Sequence, residues 1–106
     1  MDTPKVLRKS EALDLVRLYK QIIAPRFDPE TRVMMFGSYA KGYANPWSDI
    51  DVAVIVPKIE EGKWFEWAKS LGHDVNKVSL LIEPILLEDN EDSPIYREVM
   101  RTGVAV

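Results

Sequence analysis

Asp49 and Asp51 stand one residue apart at the mouth of the run Val52-Ala53-Val54-Ile55-Val56, and Gly37-Ser38 lies ten residues before the pair. The run is almost wholly apolar and rich in β-branched residues, which predicts a strand buried on both faces in the middle of a sheet. Strand side chains alternate, so the two aspartates point to one face with Cα atoms roughly 6 to 7 Å apart, at about 3.3 Å of rise per residue. Two carboxylates that close to each other, at the edge of a buried region, ionise together only with positive charge between them. A divalent cation supplies it. Gly37 lets backbone approach a ligand closely, and Ser38 is placed to cap a short helical turn whose unpaired N–H groups, with the serine hydroxyl, form an anion site. An anion site followed at short range by a cation site describes a nucleoside triphosphate with its metal.

The elements needed to position these residues are readable from periodicity. Ala12, Leu15, Val16, Tyr19, Ile22 and Ile23 recur at helical spacing, which predicts an amphipathic helix over about Ser10 to Ala24, with Thr3-Pro4 as a candidate earlier start. Pro25 and Pro29 bracket a loop, and Thr31 to Phe36 reads as a central strand that delivers Gly37 at its end. After the second strand, Pro57 stops the pairing. Glu60-Glu61-Gly62 leads into a helix with Trp64, Trp67, Ala68, Leu71, Val75 and Val78 on one stripe. Val78 to Leu87 reads as a third strand, and Pro84 within it requires an edge position or a distortion. Glu88-Asp89-Asn90-Glu91-Asp92 reads as a solvated loop, Ser93-Pro94 as the cap of a last helix through Arg101 that Gly103 ends, and Val104 to Val106 as a short extra strand. The expected fold class is α+β: a small mixed β-sheet of three to four strands covered by helices, with those helices on one side.

Composition narrows the function classes. The chain has 106 residues, 46% hydrophobic and 29% charged, which predicts one domain over 1–106. It has no cysteine, which excludes disulfides and thiolate zinc sites. No apolar run approaches a membrane span and the start is not signal-like, so the expectation is a cytoplasmic protein with no membrane partner. A net charge of −3 with scattered Lys and Arg offers no basic stripe for duplex nucleic acid. His73 reads as an ordinary surface residue, and Tyr43 and Trp47 read as loop aromatics packing on the sheet rather than stacking on a base.

The run from Gly37-Ser38-x-Ala40-x-Gly42 through Pro46 to Ser48-Asp49-Ile50-Asp51 resembles the signature of the DNA polymerase β nucleotidyltransferase superfamily. Within it, the chain is similar to the minimal nucleotidyltransferase (MNT) family. The resemblance implies the nucleotidyltransferase fold and a single minimal nucleotidyltransferase domain. It also implies Mg²⁺-dependent transfer of a nucleoside monophosphate, AMP from ATP, to an acceptor hydroxyl. Asp49 and Asp51 would then ligate two Mg²⁺ ions, and Glu83, the one acid in the third strand before its end, would complete a carboxylate triad as third ligand or general base. Gly37 and Ser38 would hold the triphosphate. Lys41 stands where many relatives carry arginine and is the candidate for a further phosphate contact, whereas Tyr39 departs from the basic residue common at its position.

Relatives that modify small molecules attach a helical substrate domain, and no second lobe is evident after the third carboxylate. Minimal members pair with a separate helical HEPN protein, as antitoxins of HEPN/MNT toxin–antitoxin systems, and some adenylylate that partner. The partner expected here is therefore a helical HEPN-type protein, with homo-oligomerisation left open. The alternative reading is a non-catalytic antitoxin or nucleotide-sensing binding module that acts by contact alone.

Overall fold

The computed structural model describes residues 6–106, and Thr3-Pro4, the candidate early helix start, lies outside them. Helix α1 (Lys9–Ile23) follows the predicted stripe, burying Ala12, Val16, Tyr19 and Ile23. Strand β1 (Arg32–Phe36) runs into a short helix α2 (Gly37–Lys41), then β2 (Ile50–Val56), α3 (Trp64–Asp74), β3 (Ile82–Glu88), α4 (Pro94–Thr102) and a two-residue β4 (Val104–Ala105). The sheet order is β3-β2-β1-β4. β1 pairs antiparallel with both β2 and β4, while β2 and β3 pair parallel across the α3 crossover.

β2 is one of the two inner strands, and all of it except Asp51 is buried. Each fully buried valine or isoleucine there contributes about 1.5–3 kcal/mol relative to exposure, which fixes the strand's position and register. Pro84 sits in β3, an edge strand, where its missing N–H removes no ladder bond from the outer side that matters to the sheet. β3 is shorter at its start than the sequence suggests. Residues 75–77 form a 3₁₀ turn that continues α3, and the chain reaches the sheet only at Ile82.

The expectation of helices on one side is corrected. Val33, Met35, Val52 and Val54 face α1 and α3, whereas Met34, Phe36, Ala53, Ile55 and Leu87 pack with Val99 of α4 on the opposite face. Both faces of β1 and β2 are apolar, and a sheet of that kind needs cover on both. Trp64 is corrected too: it is 54% exposed at the first turn of α3, while Leu71 carries the buried stripe.

The acidic loop after β3 is not merely solvated. Glu88 accepts the Ile59 N–H at 2.8 Å, Asp89 takes Arg32 at 2.6 Å and the Tyr96 hydroxyl at 2.9 Å, and Asp92 pairs with Arg97 at 2.7 Å. Ser93 caps α4 as expected, its hydroxyl accepting the Tyr96 N–H at 3.2 Å. On the other face, buried Asp74 at the end of α3 pairs with Arg26 and, at 3.4 Å, with Lys77, tying the segment after α1 to α3.

Candidate active site

The parallel pairing of β2 with β3 sets Asp51 directly beside Glu83, with Ile50 beside Ile82. The two strands therefore bring together carboxylates that are 32 positions apart in the chain, on the sheet face that α4 covers further along. Asp49 lies just before β2, so strand alternation alone does not place it. Its position is fixed by the adjoining residue, whose N–H donates to the Leu81 carbonyl at 2.7 Å.

The electrostatics record how close the three acids are. Burial raises the Asp51 carboxyl above the usual carboxylate range, and the charge of Asp49 raises it further. Glu83 is raised first by a hydrogen bond with the Asp49 carboxyl, then by the Asp49 charge, by burial and by the Asp51 charge. All of these costs fall on the charged forms, and a cation would relieve them. Among the described residues no three acidic, imidazole or thiol side chains converge tightly enough to enclose a metal by themselves. The donor set nevertheless suits magnesium, which takes one or two carboxylates and fills its octahedron with phosphate oxygens and water.

Gly37 forms the other wall. It has φ +74° and sits so close to Asp51 that an added Cβ would lie 2.1 Å from the carboxylate oxygen Oδ2. Glycine is required here twice over, by backbone conformation and by the approach of the carboxylate. Phe36 is the register partner of Asp51, so the β1 end, the start of α2 and the carboxylates form one corner.

Ser38 does not cap α2. The helix already begins at Gly37, with Phe36 at the capping position and no side-chain cap. The serine therefore lies inside the first turn, where the opening N–H groups of α2 have no partner within the helix. Its carbonyl closes the helix by accepting the Gly42 and Tyr43 N–H groups at 3.0 and 3.1 Å.

Lys41 turns toward α4, where its ammonium pairs with Glu98 at 2.8 Å. Glu98 also holds Arg101 and accepts the Thr102 hydroxyl, and the two cations draw its carboxyl down to about 2. The bond to Glu98 in turn raises the Lys41 ammonium. Lys41 is thus the link between α2 and α4, a role invisible in the sequence because Glu98 is 57 residues away. Tyr43 and Trp47 are also corrected. They are 64% and 79% exposed rather than packed on the sheet. His73 is exposed on α3, as expected.

A family model described as a nucleotidyltransferase domain matches residues 16–100, a span that contains Gly37, Ser38, Lys41, Asp49, Asp51 and Glu83. A candidate protein adenylyltransferase of Methanocaldococcus jannaschii is 30% identical over 100 residues, covering 91% of this chain and 99% of its own. The crystal structure of a candidate nucleotidyltransferase from Sulfolobus solfataricus superposes with a TM-score of 0.68 at 23% identity, over 98% of this chain and 90% of that one. A chain of a toxin–antitoxin complex solved with AMP-PNP superposes with a TM-score of 0.50 at 22% identity, over 93% of this chain and 72% of that one. At these identities the two solved structures speak for the fold.

Proposed function

This chain belongs to the nucleotidyltransferase domain family, and from that premise we propose that it transfers AMP from ATP to a hydroxyl of a partner protein. In this reading residues 1–106 are one minimal nucleotidyltransferase domain. The observation that carries it is the corner built by Gly37, Asp51 and Glu83: a glycine whose backbone meets one carboxylate, and a second carboxylate in register with the first on the neighbouring strand.

Asp49, Asp51 and Glu83 are assigned as ligands of two magnesium ions. Bound with ATP, magnesium would neutralise phosphate charge and make the acceptor hydroxyl easier to deprotonate. The chain's own groups do the remaining work. Gly37 admits the Asp51 carboxylate beside the opening turn of α2, and the N–H groups and hydroxyl of that turn, Ser38 included, hold the triphosphate oxygens. Lys41, already tied to Glu98, contributes positive charge to that side rather than a free reaching arm. Glu83, in register with Asp51 on the neighbouring strand, accepts the proton of the attacking hydroxyl. The hydroxyl oxygen forms a bond to the α-phosphorus, the bond from that phosphorus to the bridging oxygen breaks, and pyrophosphate leaves. No protein nucleophile takes part.

A protein acceptor is supported by the name of the Methanocaldococcus jannaschii relative. A toxin–antitoxin setting with a helical HEPN-type partner is supported by the sequence resemblance. No helix among the described residues is long and apolar enough to cross a membrane; a cytoplasmic site of action is part of the proposal. The test is intact-mass analysis of the chain incubated with ATP, Mg²⁺ and a HEPN protein from the same genome. The expected result is a HEPN protein heavier by one or more AMP units, with no gain when Asp49→Asn and Asp51→Asn are combined. Neutralisation of the partner by that double variant without any mass gain would establish contact-only action instead.

A further inference from the structure

Two turns lead into the paired starts of β2 and β3, and they meet at the carboxylate end of the sheet. The Ile50 N–H donates to the Leu81 carbonyl at 2.7 Å, which joins one turn to the other. Each turn is also held from within. In the first, the Asn45 N–H donates to the Ser48 hydroxyl at 2.9 Å, the Trp47 N–H to the Asn45 side-chain oxygen at 2.8 Å and the Ser48 N–H to the Asn45 carbonyl at 3.0 Å. In the second, the Leu81 N–H donates to the Ser79 hydroxyl at 3.1 Å and the Ile82 N–H to the Ser79 carbonyl at 3.2 Å.

These ordered turns hold large apolar side chains in water. Trp47 is 79% exposed, Leu80 77% and Leu81 39%. Turn tips are ordinarily polar, and these apolar ones stand beside the carboxylates, Trp47 two residues before Asp49 and Leu81 two before Glu83, on turns joined by the Ile50–Leu81 bond. In the transfer reading the phosphates of the nucleotide lie at Gly37 and the start of α2. A base could stack on an indole, but two leucines offer a base no aromatic face and no hydrogen bond. Apolar side chains of a polypeptide match both the indole and the leucines, and their backbone can bring a hydroxyl to the carboxylates.

We propose that Trp47, Leu80 and Leu81 form the acceptor-docking lip of the site, receiving apolar residues that flank the hydroxyl-bearing side chain of a protein acceptor. The proposal rests on the transfer reading above and adds the chemistry of the acceptor. These are positioning residues: they set the acceptor's affinity and leave the reacting groups untouched.

The test uses the full chain with ¹⁵N-labelled tryptophan, whose three indoles give three resonances, that of Trp47 identified by its loss in Trp47→Phe. The probes are two tyrosine pentapeptides of equal charge, acetyl-Lys-Leu-Tyr-Leu-Lys-amide and its counterpart with serine in place of leucine, each titrated in the presence of Mg²⁺ and a non-hydrolysable ATP analogue. The leucine peptide is expected to shift the Trp47 resonance saturably, at least fivefold more tightly than the serine peptide. Leu80→Ser should remove that preference. In the transfer assay, the same variant should raise the KM for the leucine peptide with kcat unchanged.

Equal response to both peptides, or none to either, overturns the lip. So does a Trp47 shift caused by the ATP analogue alone to which the peptide adds nothing, which would make the indole a base platform. Backbone amide resonances of Gly37 and Ser38, read in a second, uniformly ¹⁵N-labelled sample, report the nucleotide separately. If they ignore the analogue while Trp47 responds to the leucine peptide, the nucleotide site fails and the docking lip stands.

Discussion

Replacing Gly37 by alanine separates the strain of the backbone from the contact with Asp51, because Gly42 provides a matched control. Both glycines have left-handed φ, +74° and +85°, but a Cβ at Gly42 meets nothing within 4 Å. Each alanine therefore carries the left-handed penalty, about 1–2 kcal/mol. At Gly37 the new Cβ would stand 2.1 Å from Asp51 Oδ2, against a comfortable separation of about 3.5 Å, so the carboxylate must retreat by roughly 1 Å or more. Driving that side chain off its preferred rotamer adds about 0.5–1.5 kcal/mol.

The expected total is then about 1.5–3.5 kcal/mol for Gly37→Ala and about 1–2 kcal/mol for Gly42→Ala, read by urea unfolding without nucleotide. Function should separate the two variants far more than stability does. A 1 Å misplacement of a positioned group costs on the order of 10²-fold in rate, so Gly37→Ala should lose the thermal stabilisation by Mg²⁺-ATP and nearly all transfer, whereas Gly42→Ala keeps both. Equal retention of Mg²⁺-ATP stabilisation in the two variants would refute the claim that Gly37 exists to admit the Asp51 carboxylate.

Other outcomes follow from the same geometry. Asp51→Asn removes a partly buried charge that faces Asp49 and Glu83, so the metal-free chain should melt at a higher temperature than the parent while its response to Mg²⁺-ATP disappears; a lower melting temperature would count against the strained acid cluster. Ser93→Ala should cost about 1 kcal/mol of stability through the lost α4 cap and leave nucleotide response intact. Ser38→Ala, which loses no cap, should show the reverse, with weaker ATP binding by titration calorimetry at unchanged stability. Glu98 has a folded-state carboxyl drawn down to about 2 by Lys41 and Arg101, so the unfolded chain binds its proton first as pH falls. The stability it contributes is present above the usual glutamate value and is lost as the pH drops toward 2. In Glu98→Gln the acid side of the stability curve should be shallower, and an unchanged slope would dissociate Glu98 from Lys41.

What the sequence disclosed depended on the range of the interaction. β2 was legible because Val52 to Val56 is apolar at every position, and α1 because its stripe keeps helical period over three turns. Pro84, which cannot sit in a ladder bonded on both sides, left an edge position or a distortion for β3, and the sheet order shows the edge position. Glu83 could be singled out as the acid inside that strand, yet its pairing with Asp51 depends on a parallel register set across α3, which no local pattern encodes.

The second layer, under α4, was missed because β1 and β2 read as buried without telling which elements do the burying. Ser38 reads as a cap because its hydroxyl stands just before a helical turn; α2 instead begins one residue earlier, at Gly37, which is left-handed and lies against Asp51. The acidic loop resolved into paired side chains for a similar reason. Arg32 and Arg97, which take Asp89 and Asp92, come from β1 and α4.

The most direct test of the central claim is a crystal of the chain grown with a non-hydrolysable ATP analogue and Mn²⁺, measured for anomalous scattering. Manganese peaks are expected in contact with carboxylate oxygens of Asp49 and Asp51, with Glu83 on the second ion and the triphosphate lying against Gly37 and Ser38. Manganese and nucleotide bound together at another place on the chain, with these three carboxylates free of metal, would contradict that claim.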